Sequence, residues 1–177
     1  GLGSGIAHNH TISLLYKLRK EKSSIPELRR VGCGIARMSE LDGGGGFELI
    51  WAANFPLPGA VQTVPRCELF AIMVLLEHVS HGVVAVCSDS LVNVQIFEKG
   101  LLFASATTNG DLWRRIESAI SSKHLEFHLH WVQGHLDTVA PVRDFPEIYV
   151  AANLAADIFA DKAAVSGGAQ QFFASLV

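Results

Sequence analysis

The apolar run Val83-Val84-Ala85-Val86-Cys87 ends directly before Ser88-Asp89-Ser90. A strand with no polar alternation is typical of the centre of a sheet, where both of its faces are buried. A helical pattern with a broad apolar face, from Pro65 to about Val79, precedes this run. A second helical pattern, from Ser88 to Lys99, follows it. The chain is therefore expected to be an α/β protein with the Val83 strand inside its sheet.

Further strands and helices are predicted on either side of this unit. The strands are Thr11 to Leu18, Val31 to Met38, Phe47 to Asn54 and His124 to Val132; the helices are Leu112 to Ser121 and Glu147 to Val165. We predict a mixed five-stranded sheet, three antiparallel strands followed by parallel βα units, with helices packed on it. We assign residues 1–10 to a loose N-terminal segment, 11–165 to one domain and 166–177 to a C-terminal tail.

Composition excludes several classes of protein. Hydrophobic residues make up 49% of the chain and charged residues 18%, which indicates a folded protein. Apolar runs such as Leu69 to Leu76 are too short to span a membrane. The net charge of -3 argues against a general nucleic-acid coat protein but allows a nuclease that uses Mg²⁺. The three cysteines form no CxxC pair and predict buried thiols, so we expect an intracellular protein of the cytoplasm or nucleus.

Two carboxylates carry the clearest chemical signal in the sequence. Glu68 lies near the start of the first helix, and Asp89 follows the buried strand. A carboxylate at a strand end that faces another on a helix is suited to Mg²⁺, which prefers oxygen ligands and keeps open positions for water and substrate phosphate. His135, in Trp131-Val132-Gln133-Gly134-His135, and Asp157, in Asn153-Leu154-Ala155-Ala156-Asp157, lie downstream. Taken singly, these residues also suit a helix dipole, an N-cap or an ordinary loop.

Taken together and in this order, the motifs resemble the type 1 ribonuclease H family. The stretches that carry the resemblance are Gly32-Cys33-Gly34-Ile35-Ala36, Gln62-Thr63-Val64-Pro65-Arg66-Cys67-Glu68-Leu69, Ser88-Asp89-Ser90, Trp131 to His135, and Asn153 to Asp157. The resemblance covers Val31 to Ala164 and implies a ribonuclease H-like fold. It also implies endonucleolytic hydrolysis of the RNA strand of an RNA–DNA hybrid by two-metal catalysis, with Mg²⁺ or, alternatively, Mn²⁺.

The resemblance assigns roles to particular residues. It makes Glu68, Asp89 and Asp157 metal ligands and catalytic residues, and it makes His135 a group that assists proton transfer or product departure. Contacts to the hybrid fall to Thr63, Arg66, Asn93 and Asn153. Trp113, Arg114 and Arg115 are candidates for a phosphate track. The expected partner is an RNA–DNA hybrid, with a reverse transcriptase region of the same polyprotein as a further candidate, and we expect a monomer and no membrane.

The sequence departs from the family at its first metal ligand. The family's first strand ends in Asp-Gly-Ser, and this chain has no such motif. The expected position falls near Lys17 or Leu18, or at Leu2 if Gly3-Ser4 is the remnant, and none of these side chains binds Mg²⁺. The alternative hypothesis is therefore a ribonuclease H-like module that binds nucleic acid or protein without turnover. A face of alternating histidines, His124, His128 and His130, is interpreted as solvent-exposed strand rather than as a metal site.

Overall fold

The computed structural model of the chain describes residues 10–15, 31–136, 138–165 and 171–174. The strands are β1 (His10–Leu15), β2 (Gly32–Glu40), β3 (Phe47–Pro56), β4 (Val83–Ser88), β5 (Glu126–Trp131) and β6 (Gln171–Ala174). The helices are α1 (Val64–His78), α2 (Leu91–Glu98), α3 (Leu101–Ser105), α4 (Gly110–Lys123) and α5 (Glu147–Val165).

These elements form one mixed sheet in the order β5-β4-β1-β2-β3-β6. The strands β1, β2 and β3 are antiparallel neighbours, and a turn closed by the hydrogen bond from Leu41 N to Gly46 O joins β2 to β3. The strand β4 runs parallel to both β1 and β5. The strand β4 is paired on both sides and buried, as its apolar composition predicts. The α/β fold class predicted from the sequence is confirmed.

Helices cover both faces of the sheet. Cys33 and Ile35 of β2 belong to the main core, which also contains the buried face of α1 and much of α4. The residue after Ile35, Ala36, packs instead against Ala156 of α5. Successive side chains of a strand point to opposite faces, so α1 and α5 lie on opposite sides of the sheet. The acidic residues carried by these two helices therefore approach the sheet from different sides.

Two features of the fold differ from the sequence predictions. The sheet has a sixth strand, β6, which pairs antiparallel with β3 within the segment expected to be a tail. A strand of four residues is short, and its stability comes from pairing with β3, which sequence periodicity does not reveal. The short helix α3 was also not predicted. Residues 16–18, the end of the predicted first strand, lie outside the described residues.

The cysteines are all buried, as predicted, but the expectation of unpaired thiols is wrong for two of them. Cys33 of β2 and Cys67 of α1 form a disulfide, with their Cα atoms 5.8 Å apart. The pair is separated by 34 residues in sequence, so only the packing of α1 on β2 brings it together. Cys87 lies on the other face of the sheet, where its Sγ is 3.9 Å from the carbonyl oxygen of Tyr149. None of the helices in the described part of the chain is both long and apolar enough to span a membrane.

Candidate active site

Glu68 lies in the second turn of α1 and points into the protein. Its side chain is only 1% exposed, which is unusual for a carboxylate. The hydroxyl of Ser88, at the end of β4, and the backbone N–H of Ser90 both donate hydrogen bonds to its Oε2 atom. The other oxygen, Oε1, is buried and accepts no hydrogen bond from the described residues. A buried carboxylate oxygen without a donor is costly unless a proton or a cation satisfies it.

Asp89 is the residue that follows β4, and its carboxyl group faces that of Glu68. Burial raises the pKa of Glu68 well above its ordinary value, and the charge of Asp89 raises it further. The pKa of Asp89 is also raised, chiefly by burial. The two carboxyl groups also interact directly, and this contact raises the pKa of Glu68 and lowers that of Asp89. A cation bound between two such carboxyl groups would favour the ionised form of both.

His135 and Asp157 reach the same region from two other elements. The positive charge of His135 lowers the pKa of Asp89, and the negative charge of Asp157 raises it. His135 is exposed, in the loop after β5, and has a φ of 57°. Its carbonyl oxygen accepts hydrogen bonds from the backbone N–H groups of Thr138 and Val139, at 3.0 and 2.8 Å. The tertiary structure therefore brings together the predicted catalytic residues, although their catalytic roles stay predictions.

The loop after β5 approaches Asp89 so closely that a side chain at position 134 would displace either the Asp89 carboxylate or the loop. A Cβ atom built on Gly134 would lie 2.7 Å from Oδ2 of Asp89. Backbone contact of this kind limits the orientations open to the Asp89 carboxylate. Trp131 adds a second restraint, since its indole Nε1 donates a hydrogen bond of 3.3 Å to the carbonyl oxygen of Asp89. We therefore expect Gly134 to act as a positioning residue for Asp89.

We expect Gly134→Ala to reduce any metal-dependent hydrolysis by about tenfold to a hundredfold, because a carboxylate displaced by about 1 Å costs activity on that scale. Gly45→Ala is the matched control, since a Cβ at Gly45 has nothing within 4 Å. Both variants would be compared with the wild type in initial rate and in melting temperature. An unchanged rate in Gly134→Ala would show that this contact does not position Asp89.

The register of β1 and β4 identifies the residue of β1 nearest to Asp89. Leu14 is paired with Ser88, so the next position along β1, Leu15, lies beside Asp89. This position lies two to three residues before Lys17 and Leu18, the positions expected from the sequence, which are outside the described residues. Among the described residues, no three His, Cys, Asp or Glu side chains come together at the spacing of a metal site. The orphaned Glu68 Oε1 and the two facing carboxyl groups suit a single divalent cation, whereas the donor set for a bridged pair is incomplete.

The predicted substrate-binding residues on α1 have different surroundings. Thr63 is exposed at the N-terminus of the helix. Arg66 is held in an ion pair with Asp111, at 2.6 Å, and also donates a hydrogen bond to Asn109. This ion pair lowers the pKa of Asp111 to about 2. Arg66 therefore links α1 to the start of α4, and it must exchange a protein partner to bind phosphate.

The remaining candidates are less accessible. Asn93 is buried and donates a hydrogen bond of 2.8 Å to the carbonyl oxygen of Pro65, which ties α2 to α1. Asn153 is also buried, on α5. Trp113 is fully buried against Phe97, so the proposed phosphate track is wrong for this residue. The guanidinium groups of the other two track residues are engaged within the protein, with Ser105 O for Arg114 and with Glu77 for Arg115.

Sequence reasoning overlooked the residues that support the carboxylates. Ser88 and Ser90 flank Asp89 in the quoted motif, but their hydrogen bonds go to Glu68, 20 and 22 residues away. The close approach of Gly134 to Asp89 likewise joins two elements far apart in sequence. No local pattern signals either contact. The histidine face of β5 is exposed, as predicted from its alternation.

Comparison with known proteins supports the fold. No protein-family profile matches the chain, and no curated protein matches its sequence. LC9-RNase H1, a type 1 ribonuclease H with the type 2 active-site motif, superposes with a TM-score of 0.63 at 17% identity, covering 94% of this chain and 78% of that one. Ribonuclease H1 of the halophilic archaeon Halobacterium salinarum gives a TM-score of 0.52 at 18% identity, covering 88% and 96%.

A viral protein also shares the fold. The foamy viral protease-reverse transcriptase, in a structure with an RNA/DNA hybrid, superposes with a TM-score of 0.61 at 14% identity, over 90% of this chain. The chain spans only 20% of that longer protein. These likenesses show that this chain has a ribonuclease H-like fold, as the sequence motifs predict.

Proposed function

We propose that this domain is a divalent-metal-dependent nuclease that hydrolyses the RNA strand of an RNA–DNA hybrid. The observation that carries the proposal is the meeting of Glu68 and Asp89 at the end of β4, with Asp157 and His135 within electrostatic reach of Asp89. Strongly perturbed pKa values in such a cluster are typical of functional sites. The ribonuclease H-like fold supports the choice of substrate by analogy.

The proposed roles follow from the surroundings of each side chain. Glu68 and Asp89 would hold a divalent cation, and Asp157 would add a third negative charge beside it. A bound Mg²⁺ or Mn²⁺ would activate water and offset the charge of the phosphate. Ser88 and Ser90 hold Glu68 in place through its Oε2 atom. His135 is exposed beside Asp89 and is placed to carry protons between the site and solvent.

The test is cleavage of a labelled RNA–DNA hybrid in Mg²⁺ and in Mn²⁺, with Asp89→Asn purified in parallel. We expect hydrolysis by the wild type and a loss of at least a hundredfold in the variant, because an amide cannot replace the charge that binds the cation. The variant also controls for contaminating host ribonuclease. Equal cleavage by both proteins would contradict the proposed function.

A second candidate function is binding of the hybrid without turnover. The observation that favours it is the register of β1 with β4, which supports Leu15, next to Asp89, as the position of the missing first carboxylate. It predicts a folded protein that binds the hybrid and shows no metal-dependent cleavage. Turnover that disappears in Asp89→Asn would exclude this candidate.

The wider setting of the domain is part of the same proposal. We propose that it accompanies a reverse transcriptase region, since one structural neighbour is a segment of a viral protease-reverse transcriptase. Affinity purification of the polypeptide from its host, followed by measurement of its mass, would test this directly. A polypeptide that holds no polymerase region would contradict the association.

A further inference from the structure

A groove of about 470 Å³ lies beside the candidate active site, between α2 and the segment that leads into α5. One wall is the face of α2 that carries Gln95 and Glu98, and the opposite wall runs from Arg143 to Tyr149. The end of β5, from Leu129 to Trp131, forms its floor. The volume is within the range of small-molecule sites, which is about 300–1,000 Å³. Apart from the hydrogen bond of Trp131 to Asp89, none of the roles assigned above uses a residue of this groove.

Two residues that line the groove are hydrogen-bonded to the backbone of Asp89. The indole of Trp131, in its floor, donates a hydrogen bond to the carbonyl oxygen of Asp89. The backbone N–H of Leu91, at the start of the α2 wall, donates to the same oxygen at 3.0 Å. A ligand in the groove would therefore contact two residues that are hydrogen-bonded to Asp89 of the acidic cluster.

Flat aromatic groups line the groove. Trp131 and Phe145 meet edge to face with their ring centroids 5.5 Å apart, and His130 and Tyr149 stack at 5.5 Å. The guanidinium of Arg143 lies over both Trp131 and Phe145, at 5.4 and 5.1 Å. Arg143 is exposed and makes no ion pair within the described residues. Aromatic rings and an arginine plane are the groups on which nucleic-acid bases stack.

The polar groups of the groove select a base over a phosphate. Glu98 and Asp144 are exposed carboxylates of the lining, and they repel an anion. The same carboxylates, together with the amide of Gln95, can accept hydrogen bonds from the N–H groups of a nucleobase. The guanidinium of Arg143 can meet a carbonyl oxygen or ring nitrogen of the base. This combination suits a planar, uncharged ring with donors and acceptors on its edge.

We propose that the groove binds a nucleobase of the nucleotide that flanks the reacting phosphate. The inference rests on the proposed function for the identity of that nucleotide. The groove would hold the base by stacking, while Trp131 links its position to that of Asp89. It would thus align the strand relative to the acidic cluster through a base rather than through the phosphate backbone.

The test uses free nucleosides, which carry no phosphate and need no metal. Adenosine and uridine would be titrated separately into the ¹⁵N-labelled protein in the presence of a chelator, and the indole N–H signal of Trp131 would be followed. A Trp131→Phe variant identifies that signal. We expect a saturable shift with a dissociation constant of about 1–10 mM, since a single stacked base binds weakly. No shift with either nucleoside would overturn the inference, as would a shift caused by ribose 5-phosphate alone.

Two variants and one control localise the binding. Phe145→Ala and Gln95→Ala alter opposite walls and are each expected to weaken nucleoside binding by about tenfold or less, with the larger effect at Phe145. Phe103→Ala is the matched control: Phe103 is a partly exposed phenylalanine on α3 that also lies under a cation, Lys99, and it is not part of the groove. An equal loss in Phe103→Ala would contradict the location.

The two proposals fail in different ways. Nucleoside binding without hybrid cleavage would overturn the nuclease proposal and leave the groove as a base-binding site. Hybrid cleavage without nucleoside binding would leave the nuclease proposal intact and overturn the proposal that the groove binds a nucleobase.

Discussion

Replacing Glu68 by glutamine is expected to abolish hydrolysis and, at the same time, to stabilise the metal-free protein. Glutamine keeps the shape of Glu68, its amide oxygen can accept the hydrogen bonds of Ser88 and Ser90, and its amide N–H can donate to the carboxylate of Asp89. It removes a buried carboxyl group whose ionised form has an unsatisfied oxygen, which costs about 1–3 kcal/mol. It also removes a charge that the cation needs.

The pH dependence of this effect has a definite sign. Because the pKa of Glu68 is raised in the folded protein well above its ordinary value, the folded state binds this proton more tightly than the unfolded state. The contribution of Glu68 to the free energy of unfolding is therefore fully present at low pH and is lost as the pH rises through its folded-state pKa. The gain in melting temperature from Glu68→Gln, measured with a chelator, should therefore be larger at pH 8 than at pH 5.

Glu77→Gln is the control for this experiment, since Glu77 lies on the same helix and pairs with Arg115 at the surface. We expect no loss of hydrolysis and a loss of stability of about 0–1 kcal/mol, as for other surface ion pairs. A Glu68→Gln protein that is less stable than the wild type at pH 8 would show that Glu68 is not a destabilising buried acid in the metal-free state.

Introducing an aspartate at position 15 is expected to raise the rate of hybrid hydrolysis by about a hundredfold or more. The register of β1 and β4 puts position 15 beside Asp89, where a further carboxylate would offset the repulsion between two dications. Several kcal/mol of added stabilisation of the paired-metal state corresponds to orders of magnitude in rate. Initial rates in Mg²⁺ and in Mn²⁺ would be compared between Leu15→Asp and the wild type.

Leu15→Asn separates charge from shape in this experiment. It has nearly the same size as the aspartate variant but adds no negative charge, so we expect little or no gain. Thermal shift on addition of Mg²⁺ gives a second measurement, with stabilisation expected to increase only in Leu15→Asp. A folded Leu15→Asp protein with neither gain would indicate that position 15 is not where the missing ligand belongs.

Much of the fold follows from local patterns in the chain. The apolar strand before Asp89, the alternation in β5 and the bounds of α5 were all predicted correctly, because hydrophobic periodicity reports which faces are buried. The strand β6 was missed, since its stability lies in pairing with β3 rather than in its own sequence. The Cys33–Cys67 disulfide was missed for the same reason, because sequence spacing does not report distances between elements.

The amino-acid sequence by itself determined which chemical groups this protein can use: carboxylates at Glu68, Asp89 and Asp157, an imidazole at His135, and no Asp-Gly-Ser at the first strand. The tertiary structure decided how those groups interact. It buries Glu68 next to Asp89, lets Ser88 donate a hydrogen bond to Glu68, and brings the backbone of Gly134 close to the Asp89 carboxylate. Those outcomes depend on burial and on distances between residues remote in sequence, which shift pKa values and orient carboxylates in ways that no local pattern encodes.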